Sequence, residues 1–198
     1  MANTFAPFGF AQASGNGSAP TYEMVRRYIA LTAGAIYNGD PVTSQSDGTI
    51  AQSVAGTTQI AGIFQGCYFI SAALNRYVWS PYWPGSGLAL ANTTPYALIV
   101  NDPNAVFLVQ SGNAGSPVAI TDIGANIQLA VGTGTALNGQ SGAYVNQAVI
   151  SPTTATLPFR IVDLYTFPSG ANGTDTASNG NWVYVAFNNV DTRVTTGQ

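Results

Sequence analysis

The chain has 198 residues, 46% hydrophobic and only 7% charged, with a formal net charge of −3. It contains no His, no Lys, a single Cys (Cys67) and a single Glu (Glu23). General acid–base catalysis near neutral pH draws mostly on His, with Glu, Lys and Cys as tuned substitutes, so the composition argues against an enzyme and for a protein that binds or builds.

The first 21 residues show no periodicity, yet they carry Phe5, Phe8 and Phe10 among small residues. A Phe removed from water contributes about 1.5–3 kcal/mol, so a terminal segment holding three of them is expected to be covered, either on its own domain or on a neighbouring subunit. Residues 1–21 are therefore read as an extended N-terminal arm and residues 22–198 as one domain. The first positive charge is Arg26, so the start lacks the basic and apolar regions of a secretory signal, and no apolar run approaches the roughly 20 residues of a membrane span.

From residue 24 onward, short apolar, β-branched and aromatic segments recur. Strands are predicted at 24–31, 59–65, 67–72, 76–80, 96–100, 105–110, 118–121, 127–131, 143–150, 159–167 and 182–188. Asn38-Gly39, Asp47-Gly48, Asn138-Gly139 and Asn172-Gly173 lie between them, as does Asn16-Gly17 in the arm, and such pairs supply the positive φ values of tight turns. No segment carries the 3.6-residue stripe of an amphipathic helix, although one helical turn near Asp122 fits. The fold is all-β, a single-domain barrel or sandwich with a jelly roll among the options. In `NWVYVAFN` both faces are apolar, which predicts a central strand covered on both sides.

Candidate chemistry is sparse. Ser–His, Cys–His and Ser–Lys pairs cannot be assembled, and zinc or iron sites lack ligands, so no catalytic, cofactor or metal residue is assigned. Most Asp residues sit in turn contexts such as `GDP`, `SDG` and `NDP`, where the side chain bonds nearby backbone. A calcium site at Asp175 with Asn172 and Asn179 has too little charge compensation to be favoured. Five scattered Arg form no basic stripe for nucleic acid. Cys67, in `GCYFI`, reads as a buried small hydrophobe, and the sequons at Asn16, Asn92 and Asn172 read as chance. Arg26 and Arg27 would place one guanidinium on each face of a strand. The segment `YVWSPYWPG` gathers Tyr77, Trp79, Tyr82 and Trp83 around two prolines, as core, protein interface or sugar platform.

Two blocks carry a resemblance. `NGDPVTSQSDGTIAQSVAGTTQIAGIFQG` (38–66), and `LPFRIVDLYTF` followed by `WVYVAFNNVDTRVTTGQ`, are similar to strand and turn patterns of tailed-phage capsid decoration (cement) proteins. The resemblance implies a β-rich protein made in the host cytoplasm that oligomerises, as a trimer in preference to a dimer. It further implies binding to the outer surface of an icosahedral head, where the protein clamps major capsid subunits. On that reading Phe5, Phe8, Phe10, Arg26, Arg27, Tyr82 and Trp83 are the expected interface residues, with neither nucleic acid nor membrane as partner. The alternative is a carbohydrate- or receptor-binding virion module, a head fibre or tail component, using Tyr82 and Trp83 as a stacking surface.

Overall fold

A computed structural model describes residues 2–15 and 23–193. The Asn16 sequon and turn, the end of the arm and the whole `TTGQ` tail lie outside this range. The architecture is two antiparallel sheets packed as a sandwich. One comprises β1 (Ala11–Ser14), β8 (Val106–Gln110), β12 (Trp182–Phe187), β11 (Phe159–Leu164), β9 (Asn126–Thr135) and β10 (Gln140–Ser151), in that spatial order. The other runs β2 (Val25–Tyr28), β7 (Tyr96–Val100), β5 (Gly62–Ser71), β3 (Pro41–Ser44) and β4 (Ile50–Gln52), with β6 (Arg76–Ser80) pairing the distal half of β5.

Neither sheet closes into a barrel, but both curl. A parallel bridge between Ile29 and Ile50 joins the two margins of the second sheet at one point. Another between Ser111 and Val145 draws β10 back toward the end of β8. The curl gives each sheet its own apolar interior. Phe107, Val109, Ile127, Leu129, Val145, Phe159, Ile161, Val183 and Val185 fill the first. Val42, Ile50, Phe64, Cys67, Ala97 and Ile99 fill the second, closed by Ile36 and Trp83. Ile63 and Val100 of the second sheet point the other way, into the first cluster, and so tie the layers together.

Local chemistry explains the elements. β12 is central, with Val183, Val185 and Phe187 buried and Trp182, Tyr184 and Ala186 half-buried. Gly39, Gly48, Gly139 and Gly173 all take positive φ, as Asn-Gly and Asp-Gly turns require. The two strands expected at 59–65 and 67–72 are one long strand interrupted by a bulge between Phe64 and Gly66. The extra residue reverses the alternation, which is why the period-two pattern breaks there. The strand expected at 118–121 is instead a 3-10 turn over Ile120–Asp122, because Asp122 Oδ2 accepts the Ala119 N–H at 2.8 Å and closes the turn.

The arm needs correction in one respect. Residues 11–14 are an edge strand of the first sheet, and Phe10 is 1% exposed, stacked on Phe159 at 4.5 Å. With the segment on its own domain, Phe10 is core and presents no surface to another partner. Phe5 and Phe8 lie half-buried, edge-on to Tyr144 and Trp182 at 5.3 and 5.0 Å.

Candidate interaction face

Directly paired residues of antiparallel strands share a face, so the register shows which side chains stand together. Tyr28 pairs Tyr96, Tyr96 pairs Tyr68 and Tyr68 pairs Trp79, a row of aromatics running across β2, β7, β5 and β6. On one side of this row stand Ile70 and Tyr77; on the other, Arg26, Leu98 and Gly66. At about 4.8 Å between strands the row is roughly 14 Å long.

This face is the same one that, farther along β5 and β7, buries Ile63 and Val100 against the first sheet. Beyond the end of that contact it is open: Tyr77 is 64%, Trp79 54% and Tyr28 52% exposed. At the boundary a cavity of about 340 Å³ is lined by Phe10, Met24, Trp79, Leu98 and Val100 with the amides of Asn38 and Gln65.

The rings are preorganised. Tyr68 and Tyr96 stack at 5.3 Å with planes 24° apart, and the Arg26 guanidinium lies 5.0 Å above the Tyr96 ring. The Trp79 indole covers the space left by Gly66, where a Cβ would come within 3.1 Å of Nε1. Tyr68 and Tyr96 are half-buried, while the Trp79 indole remains half exposed. The four strands carry no acidic residue, so Arg26 faces outward uncompensated by its own sheet.

The other sequence candidates fall elsewhere. Arg27 lies on the opposite face of β2, so the pair does straddle the strand. Trp83 is 0% exposed, edge-on to Phe69, with Nε1 donating to the Ala33 carbonyl at 3.4 Å. It is core, which removes it from any stacking surface. Tyr82 stacks on Tyr37 at 5.5 Å, and the Tyr37 ring sits on Gly134 of β9, where a Cβ would be 2.3 Å from the ring. The glycines of the β9–β10 hairpin thus admit neighbouring rings. Tyr28, Tyr68 and Tyr96 escaped the sequence reading, because a row across strands is written in register, which adjacent residues do not record.

Cys67 and several Asp side chains are engaged within the fold. Cys67 is buried, its Sγ 3.3 Å from the Tyr82 carbonyl, and burial pushes the thiol up to about 12. Asp47, Asp102, Asp122 and Asp175 each accept a backbone N–H two or three residues away. The Asp175 loop is organised by Asn3, whose Nδ2 donates to the carbonyls of Asp175 and Ser178, so an amide takes the oxygens a cation would use. Among the described residues no group of three His, Cys, Asp or Glu converges. Comparison with known proteins finds no matching family model, no similar curated protein and no similar solved structure.

Proposed function

We propose that the protein is a non-enzymatic structural component of a virion that decorates the outer surface of an icosahedral phage capsid and bridges major capsid subunits, acting as a homo-oligomer, a trimer in preference to a dimer. The observation that carries this reading is the open aromatic face of β2, β7, β5 and β6, presented by a chain that lacks the usual catalytic side chains. Aromatic and Arg side chains supply most of the anchoring energy at protein interfaces. Tyr68 and Tyr96 each have a ring face engaged by the other, and Arg26 lies over the Tyr96 ring, which leaves less open ring face for a sugar than for a protein surface. The resemblance of residues 38–66 and of the closing strands to decoration proteins supplies the capsid as partner.

The test has two parts. Mass spectrometry of purified particles should find the protein in fixed ratio to the major capsid protein. The Tyr77→Ser/Trp79→Ser variant should fold normally and lose about tenfold or more in particle affinity, the loss expected for two interface anchors. Absence from particles, or unchanged binding by that variant, refutes the reading. The carbohydrate-binding alternative keeps one specific support, the half-exposed Trp79 indole. Saturable glycan binding abolished by Trp79→Ala would favour it.

A further inference from the structure

The N-terminal segment fills a slot that reads its sequence. The Asn3 side chain donates to the carbonyls of Asp175 and Ser178 at 2.8 and 3.1 Å and accepts the Gly173 N–H at 2.9 Å. Gln110, fully buried, accepts the Ala6 N–H at 2.9 Å and donates to the Thr4 carbonyl at 2.8 Å. Phe5, Phe8 and Phe10 then meet Tyr144, Trp182 and Phe159, and Ala11–Ser14 adds a strand to β8. A buried glutamine whose amide, anchored on the Gly180 carbonyl at 2.8 Å, bonds the backbone of residues 4 and 6, beside a loop whose backbone is satisfied by Asn3, suits an extended peptide in one register.

These partners lie in the first sheet and its 165–181 loop. Ten residues separate Ser14 from the start of β2, at the margin of the other sheet. We propose that this slot is a strand-acceptor site, and that in assemblies it is occupied by residues 2–14 of a second copy. The contacts are the same whichever copy supplies the segment, so exchange sacrifices no interaction and links two copies through paired backbone. Ten residues extend to at most about 33–36 Å. That is about twice the ~16 Å radius of gyration expected for this length, so the slot of an adjacent copy is within reach. The proposal does not depend on the capsid reading, since it concerns two copies of this chain alone.

The experiment uses Thr4 and Asn172, both exposed, with the Thr4 N–H donating to Asn172 Oδ1 at 2.7 Å. Full-length Thr4→Cys and Asn172→Cys proteins are mixed, concentrated and oxidised, with buried Cys67 as an internal silent thiol. Neither variant can close this disulfide within itself. The expected result is a covalent dimer joining the two variants in clear excess over same-variant dimers. A statistical mixture, or none, overturns the proposal. The chain carrying both substitutions should close internally when dilute and give covalent dimers when concentrated; purely internal closure at every concentration also overturns it.

Discussion

Asp40 is a fully buried carboxylate whose partners are all neutral: Ser141 Oγ at 2.5 Å, Gln52 Nε2 at 2.6 Å and the Tyr37 N–H at 2.7 Å. It joins the start of β3 to β10, and so one sheet to the other. Burial pushes its pKa up, opposed by those three hydrogen bonds. The folded chain therefore holds the proton more tightly than the unfolded chain, whose group titrates near 3.8. This contribution to stability is complete below that value and is lost as pH rises through the folded pKa. Denaturant titrations from pH about 3 to 8 should show this slope, and Asp40→Asn, able to donate to Ser141 and accept from Tyr37 and Gln52, should flatten it. Asp40→Ala leaves three donors without this acceptor, the Ser141 hydroxyl buried and the other two part-buried, and should cost about 1–3 kcal/mol. Asp47 and Asp175, held low by hydroxyl and backbone donors, act with opposite sign, their contribution lost as pH falls. Cys67 should resist thiol reagents in the native protein and react fully on unfolding, as measured by absorbance of the released chromophore. Gly173 has φ 86° and a Cβ there would lie 2.2 Å from the Trp182 ring. Gly173→Ala should lower stability by about 1–3 kcal/mol, read from the denaturation midpoint followed by Trp fluorescence.

At the scale of elements, β6 and β7 were legible to the residue, since each is a short alternating run between turn signals. The Asn-Gly turns at Gly39, Gly139 and Gly173 were legible for the same reason, because a dihedral requirement is local. What the sequence left hidden is pairing. Tyr28 and Tyr68 lie far apart in the chain, yet β7 sets them in one row, and the Gln65 bulge decides which face Tyr68 takes. Trp83 shows the same limit in reverse: its position after Pro81 and Tyr82 resembles an exposed aromatic loop, but the antiparallel bridge from Ile36 to Trp83 carries it inward. Phe10, stacked on Phe159 and edge-on to Phe107, is as much core as any strand residue. Phe10→Ala should cost about 3–5 kcal/mol by chemical denaturation, whereas Phe5→Ala, at the half-buried end of the same segment, should cost clearly less.

At the scale of the molecule, the two sheets share side chains. Ile60, Ile63 and Val100 lie within or beside the second sheet but belong to the first cluster, and the bridge from Ile60 to Val190 fastens the C-terminal end of the chain across the junction. A layer that borrows its core from the other cannot unfold first without opening both. Urea unfolding should therefore be a single transition, coincident by far-UV circular dichroism and Trp fluorescence. Two separated transitions would mean that the two apolar interiors are independent.

The bridges at Ile29–Ile50 and Ser111–Val145 bear on colloidal behaviour. Proteins commonly guard the free margins of sheets with Lys and other charges, which repel an approaching strand. A chain with no lysine and 7% charged residues has little of that defence. The first bridge brings the two margins of the second sheet together and the second turns β10 inward, so geometry closes part of what charge guards elsewhere, while β1 and β6 each pair with one strand only. Where the margins are so closed, a nearly neutral chain presents no free ladder for a stray strand to extend.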